Sequence, residues 1–275
     1  MLQRLFLLMS LALLATAVGG CGSAEYEARL ARSKKLYEYY QELDAGLESQ
    51  AWMRNDLGMS MRTPKPFKQP LAAPAPQLDD DGNPLPIIND PRQPDVLGVD
   101  LPGLVDAWTG QLGGGSDEAQ ALFFVCSNHQ RYLDLGPQTA SPDDFLKDLE
   151  IAVQTGFGVL VPEGEAQSPA DNVRYRLIAP ARSSPHAEYS SPKDFTAMRL
   201  VPTEPLGGRK VEGMLFELTA GKIQVGILCI FPQEAGTQFR ERLSLALETL
   251  TVSPEAPKPR SGSAGAPSSV RDPGF

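Results

Sequence analysis

The 275-residue chain contains only three cysteines and two histidines, too few for a metal centre built from several Cys and His ligands. Basic residues are also in the minority, with 25 Lys and Arg against 34 Asp and Glu and a formal net charge of −9. Binding to nucleic acid requires a basic surface that displaces counterions from phosphates. We therefore expect no cofactor and no nucleic-acid partner.

Proline, by contrast, is abundant. The chain has 25 prolines, nearly twice the usual share of about 5%. Its apolar fraction of 41% is typical of globular proteins, and its length suffices for one or two domains with a hydrophobic core. We therefore expect a folded body joined to proline-rich linkers.

Residues 1–20 have the organisation of a secretory signal. A single positive charge, Arg4, precedes a largely apolar run from Leu5 to Val18, and small residues follow. The run is shorter than the roughly 20 apolar residues that span a bilayer core. The segment is therefore predicted to be a cleaved signal peptide rather than a membrane-spanning helix.

The residues Val18, Gly19, Gly20 and Cys21 resemble the bacterial lipobox, in which an aliphatic residue and two small residues precede the modified cysteine. The resemblance implies cleavage before Cys21, lipidation of its thiol with a diacylglyceryl group, and acylation, for example with palmitate. Two or three acyl chains suffice for stable anchoring. The resemblance to the lipobox also implies an envelope lipoprotein held outside the cytoplasm, at either membrane. The alternative is an ordinary secretory signal with Cys21 near the cut by chance.

Residues 21–57 are predicted to hold the lipidated N-terminus and a helical stalk. From Ala24 to Gln50 there is no proline, and apolar residues recur at helical spacing. They are Leu36, Tyr40, Leu43 and Leu47. A coiled coil or partner helix is the alternative, although fewer than two clean heptads support it.

The next segments differ sharply in composition. Residues 58–67 include a possible first strand of the body. Nine prolines lie from Pro64 to Pro94, so residues 68–100 are predicted to form a Pro-rich acidic linker or insertion, extended over the surface or mobile. Residues 254–275 are rich in Pro, Ser, Gly and Ala, which predicts a disordered tail.

Residues 101–253 have the pattern of an α+β domain. Two strands are expected around a Gly113–Asp117 loop, followed by a helix that begins at Ser141 and ends at Gly156. Further strands, a hairpin turning at Ala220-Gly221 and a last helix from about 234 to 250 complete the pattern. This order predicts an α+β fold with a mainly antiparallel sheet packed with helices.

The end of this body resembles the PsbP-like α/β/α sandwich. The matching text is the apolar hairpin KVEGMLFELTAGKIQVGILCIFP and the helix after it. The segment MSMRTPKPFK resembles the opening strand of that fold, which makes residues 68–100 an insertion. The family's members act mainly in binding and assembly, so the resemblance supplies no catalytic residues.

Cys126 and Cys229 both lie within apolar runs, where buried free cysteines are common. An exported protein can also form a disulfide between them, but the sequence does not test the geometry that a disulfide requires. Both possibilities are left open.

The two histidines are the first candidates for catalytic groups. A hydrolase using Cys126 with His129 is conceivable, but residues three apart on a strand point to opposite faces. His129 is therefore interpreted as a loop residue beside a buried cysteine, and His186 as a loop residue without a catalytic partner. No catalytic residue is predicted.

Acidic and glycine-rich segments are the candidates for ligand sites. The turn Asp79–Asn83 fails the EF-hand pattern and is interpreted as a solvated acidic turn. Gly113–Gly115 lacks the Lys and the spacing of a phosphate loop. The acids of the Ser141 helix are explained by the helix start and a solvated face rather than as catalytic pairs; they are Asp143, Asp144, Asp148 and Glu150.

These features predict a lipid-anchored, non-enzymatic envelope protein that acts as a binding or assembly module for another envelope component. The membrane, reached through the lipid, and an envelope protein are the expected partners. The alternative is a small-ligand carrier with a pocket between sheet and helix, which an exposed apolar patch at Trp108 or Tyr175 would favour.

Overall fold

Apolar patterning between residues 104 and 232 produces a six-stranded antiparallel sheet in the computed structural model. The structure describes residues 2–75, 89–112, 119–133, 140–162, 172–184 and 187–257; for residues 2–22 it describes the backbone only. Asp79–Asn83, Gly113–Gly115 and His186 lie outside the described residues.

Nine strands and four α-helices make up the described fold. The helices are α1 (Leu2–Gly46), α2 (His129–Leu133), α3 (Phe145–Phe157) and α4 (Gly236–Thr249). The strands are β1 (Trp52–Arg54), β2 (Met59–Met61), β3 (Leu104–Leu112), β4 (Ala119–Ser127), β5 (Val173–Ala179), β6 (Lys193–Leu200), β7 (Val211–Ala220), β8 (Ile223–Pro232) and β9 (Thr251–Val252).

The strands form two antiparallel sheets. The large sheet has the order β3-β4-β8-β7-β6-β5, and the small one has the order β1-β2-β9. The β7–β8 hairpin turns at Gly221, whose φ of 60° lies in the left-handed region, where glycine is favoured. The predicted α+β fold with a mainly antiparallel sheet is confirmed.

Helix α3 covers one face of the large sheet. Its buried side chains, spaced by a turn, are Phe145, Leu149, Val153 and Phe157. They approach the sheet closely because β7 and β8 carry glycines there: a Cβ on Gly213 would overlap the ring of Phe157, and one on Gly226 would overlap Leu149. The expected end at Gly156 is wrong by one half-turn, since Gly158 in the left-handed conformation closes the helix.

Helix α4 and the small sheet cover the opposite face. The four buried side chains of α4 are Phe239, Leu243, Ala246 and Leu247. Between the small sheet and the large one lies an aromatic cluster in which the Trp108 ring meets Trp52 at 5.6 Å and Phe123 at 5.5 Å, both edge to face. Phe67 stacks on Phe123 at 5.3 Å. The segment expected to open the body is therefore part of its core.

The predicted stalk is exposed in its first part and docked in its last. Side chains from Ser23 to Lys35 are exposed, whereas Tyr39, Leu43 and Leu47 are buried against the body. Tyr39 stacks on Tyr189 at 5.9 Å. Tyr40, which the spacing predicted to lie on the apolar face, is exposed. The buried face of the helix is determined by its contacts with α4 and with the segment around Tyr189 (the 189 region), not by the pattern of the helix alone.

Parts of the predicted linker and tail pack on the body as well. Arg92, Pro94 and Leu97 are buried, and the Leu71 amide donates to the Ala107 carbonyl at 2.7 Å. At the other end the Lys222 amide donates to the Pro254 carbonyl at 3.2 Å. The described flanks of the proline-rich segment therefore pack on the body, which agrees with the first of the two expected forms, extended over the surface or mobile. Residues 254–257 of the predicted tail are also ordered against the body, and the rest of the linker and of the tail lies outside the described residues.

Among the helices whose side chains are described, none is long and apolar enough to cross a membrane.

The close approach of α3 predicts a steric effect of a single methyl group. Gly226→Ala is expected to lower the free energy of unfolding by about 1–3 kcal/mol, because the added Cβ overlaps Leu149. Urea denaturation measures the change. Removing the overlapping side chain provides the control: Leu149→Ala combined with Gly226→Ala should cost less than the sum of the two single changes. Additive costs would contradict the contact.

Candidate functional site

The two buried cysteines lie on opposite faces of the large sheet. Cys126 packs in the core under α3, and Cys229 packs in the core under α4. Both thiols are free, and burial raises their pKa well above the ordinary value. The disulfide that the sequence left open is not formed, because the sheet lies between the two side chains.

His129 begins the short helix α2 rather than lying in a loop. Its ring Nδ1 is 2.5 Å from the Ser127 hydroxyl, and both residues are buried. Burial lowers the pKa of His129, which favours the neutral ring. Ser127 and Cys126 point to opposite faces of β4, so the structure does not bring the thiol of Cys126 to the imidazole.

A network of charged side chains fastens the small sheet to the large one. Asp106 on β3 accepts from the Trp52 indole N–H at 2.8 Å, from Arg54 at 3.3 Å and from Arg92 at 3.4 Å. Arg92 in turn binds Asp90 at 2.7 Å. Every partner in this network is used within the fold, so its role is structural.

A second buried carboxylate, Glu212 on β7, is neutralised by two guanidinium groups. Arg240 donates through Nε at 3.0 Å and Nη2 at 2.7 Å, and Arg199 donates at 3.1 Å. Burial alone would raise the pKa of Glu212, but the hydrogen bonds from Arg240 and Arg199 outweigh it and hold the pKa below its usual value. This ion triplet ties α4 to β6 and β7.

A third cluster, formed by Glu150, Arg174 and Glu217, differs from the other two. Glu217 on β7 is only 5% exposed, and the carboxylate of Glu150 on α3 lies within hydrogen-bonding reach of it. Arg174 on β5 donates to Glu150 and contacts the Met198 sulfur at 3.6 Å. Among the described residues only two buried side-chain polar atoms lack a hydrogen-bond partner, and both belong to this cluster: Arg174 Nε and Glu217 Oε1.

The electrostatics of this cluster favour a protonated carboxyl group. Burial, followed by the nearby carboxylate of Glu150, raises the pKa of Glu217 to about 8, while Arg174 lowers it by less. The raised pKa favours the protonated form of Glu217 near neutral pH. Nowhere in the described parts of the chain do three or more His, Cys, Asp or Glu side chains come together to hold a metal ion. We take the Glu150–Arg174–Glu217 cluster as the candidate site.

The structure separates the acids that the sequence grouped on the Ser141 helix. Ser141 accepts from the Asp143 amide, as expected of a cap, but the turn that it caps is a 3₁₀ helix (Pro142–Asp144) that leads into α3 at Phe145. Asp148 binds Arg131 at 2.8 Å. Glu150 is not on a solvated face as expected, because its side chain is only 19% exposed and lies against β5 and β7.

Sequence reasoning missed Glu217, although a signal existed. Glu212 and Glu217 stand five positions apart on one strand, so their side chains point to opposite faces. If the hairpin is central and both faces of the sheet are covered, both acids must be buried and each must be neutralised. Neither the pattern nor the spacing indicates that the groups that neutralise them come from α3, α4, β5 and β6.

In the described part of the chain, concave surfaces lie beside helices α3 and α4. One, of about 490 Å³, lies at the C-terminal end of α3 and is mostly apolar; Ile151 and Leu160 beside it are 54% and 86% exposed. The other, of about 610 Å³, lies between the start of α4 and the ends of β3, β4 and β8. Its lining includes Leu112, Ala119, Pro232, Gln238, Phe239 and Arg242. Trp108 is fully buried and lines neither.

No model of a known protein family matches the chain, and no curated protein matches it in sequence.

The burial of the thiols of Cys126 and Cys229 predicts how they react with an alkylating agent. In the native protein Cys126 and Cys229 should resist alkylation by iodoacetamide, because both are fully buried and protonated. In denaturant without a reducing agent each should take up one alkyl group, as measured by peptide mass spectrometry. A disulfide-linked pair of peptides would contradict the arrangement.

Proposed function

We propose that the chain is a lipid-anchored, non-enzymatic protein of the cell envelope that binds another envelope protein through its folded body. The exposed apolar surface formed by Ile151 and Leu160 at the end of α3 is the observation that carries the binding role. Apolar side chains exposed together beside a groove are typical of protein contact sites. The anchor is inferred from the lipobox at Val18–Cys21.

The path of α1 supports an anchored arrangement. The helix runs without interruption from the lipobox region to Gly46, and its last turns are buried against α4 and the 189 region. About 27 Å of helix separates Cys21 from Tyr39, the first docked residue, at 1.5 Å per residue. A lipid on Cys21 would therefore hold the body at a defined distance from the membrane, with an exposed helix between them.

The chemistry of the described body is consistent with a binding role. The buried charges in two of its clusters are paired internally, and its two thiols are enclosed. We include in the proposal that the body is PsbP-like. The six-stranded sheet with α3 on one face and α4 on the other supports that assignment, as does the apolar β7–β8 hairpin followed by α4.

The second candidate function is carriage of a small ligand. The 610 Å³ groove at the start of α4 favours it, since it lies between helix and sheet and combines apolar Leu112 and Phe239 with Gln238 and Arg242. Its size is within the range of small-molecule sites. Because Glu234 lines the groove as well as Arg242, the lining favours an apolar ligand with polar groups rather than a negatively charged one.

The anchor and the surface can be tested together by mild crosslinking in intact cells, followed by tagged purification and mass spectrometry. Cys21→Ala should release the protein from the membrane fraction, because the lipidated thiol is lost. Leu160→Ser should leave the protein in the membrane fraction but remove its main crosslinked partner, because the exposed apolar contact is lost.

Leu30→Ser is the matched control, since Leu30 is also exposed but lies on α1 away from the groove; it should retain both membrane attachment and partner. Membrane attachment that persists in Cys21→Ala would refute the anchor. An equal loss of partner in Leu30→Ser and Leu160→Ser would refute the α3 surface as the contact.

The ligand-carrier function makes a different prediction. An uncharged apolar dye should bind saturably to the protein, and Gln238→Trp should abolish this binding by placing an indole over the groove. Glu241→Trp is the control, since Glu241 is exposed and does not line the groove. Fluorescence titration measures the binding, and identical binding by both variants would refute the groove as a ligand site.

A further inference from the structure

We propose that Glu150 and Glu217 form a binding site for one shared proton, and that this proton keeps α3 seated on strands β5, β6 and β7. The site responds to the pH outside the cytoplasm if the anchor proposal is right, but the inference does not depend on the anchor. It follows from which charged groups meet at this point in the fold.

The cluster joins three separate elements. Glu150 comes from α3, Arg174 from β5 and Glu217 from β7, and Met198 of β6 lies against Arg174. Because each side chain belongs to a different element, a change of charge in the cluster acts directly on the packing of α3 against the sheet.

The other charged groups on this face leave the cluster with an excess of acid. The register places Arg176, Thr196 and Glu217 side by side across β5, β6 and β7. Arg176 is already paired with Asp194, and on α3 Asp148 is paired with Arg131 while Lys147 is exposed. Among the described residues, one guanidinium group, that of Arg174, is therefore left for two carboxyl groups, and it binds Glu150.

A single proton balances this arrangement. With the proton bound, Glu150 and Arg174 form an ion pair and the neutral Glu217 contributes a hydrogen-bond donor to the neighbouring carboxylate. Without it, two carboxylates face each other in a largely buried position, which is strongly unfavourable. The lone acceptor Glu217 Oε1 and the lone donor Arg174 Nε show that protein groups in the described part of the chain do not otherwise satisfy the site.

The direction of the pH effect follows from this balance. A carboxyl group whose pKa rises from 4.5 in the unfolded chain to about 8 in the fold stabilises the protein fully below pH 4.5. This stabilisation declines as the pH rises above 4.5 and is fully lost once the pH has risen through 8. The loss acts on α3, whose outer side carries Ile151 next to Glu150, so the apolar surface at the end of α3 should change with it.

The test compares the full chain, purified in detergent, with its Glu217→Gln variant. Gln is the neutral isostere of the protonated acid, so the variant should fold like the wild type at pH 6. Between pH 6 and pH 9 the folding equilibrium constant of the wild type should fall about a hundredfold more than that of the variant. Urea denaturation at each pH measures this difference, and hydrogen exchange should place the lost protection in α3.

Two further variants complete the test. Glu241→Gln removes an exposed acid on α4 and should keep the full pH dependence of the wild type. Glu150→Gln should shift the transition to lower pH, because Glu217 then ionises without a facing carboxylate. An infrared band of a protonated carboxylic acid at pH 7, present in the wild type and lost in Glu217→Gln, would locate the proton. Equal pH dependence in the wild type and Glu217→Gln, or the absence of that band, would overturn the proposal.

Discussion

Burial of the β7–β8 hairpin on both faces governs how the other elements of the body are arranged. With α3 on one side and α4 and the small sheet on the other, no side chain in the middle of these strands can reach water freely. Glycines at 213 and 226 let α3 come close, and the large apolar side chains fill the remaining space. The same constraint puts Cys126 and Cys229 in separate cores.

Any acid on such a strand must be neutralised within the fold, and the chain does so in two ways. Glu212 receives two guanidinium groups, which hold it in the charged form. Glu217 has no cation of its own among the described residues, since Arg174 binds Glu150, and its raised pKa favours the protonated form instead. The two solutions differ physically: the first is insensitive to pH near neutrality, whereas the second is lost when the proton leaves.

The docked end of α1 connects this body to the proposed anchor. Tyr39, Leu43 and Leu47 belong to the same core as α4, so the helix is an extension of the domain rather than a loose tether. In the proposed arrangement a lipid at Cys21 fixes one end of the helix and the core fixes the other. The α3 surface lies on the opposite face of the sheet from this docked end, which leaves it accessible to a partner.

Much of the local structure could be predicted from the sequence because it depends on neighbours along the chain. Strand alternation, the Ser141 helix start, the Ala220-Gly221 turn and the apolar face of α4 are of this kind, and together they indicate an α+β fold. The lipobox resemblance is also local, and it is the main basis for the proposed anchor. The environments of the buried charged side chains were predicted less well. The pattern predicts a solvated Glu150, and it does not single out Glu217.

The tertiary structure decided what depends on residues distant in sequence. Packing buries Tyr39 rather than Tyr40 against the body. It brings Arg92 of the proline-rich segment beside Asp106. It also brings Glu150 next to Glu217, which is 67 positions away along the chain. Periodicity states which side of an element a residue occupies, but the charge and solvent exposure of that side are set by the elements that pack on it. Local pattern thus determined the elements, and packing determined the electrostatics of the candidate site.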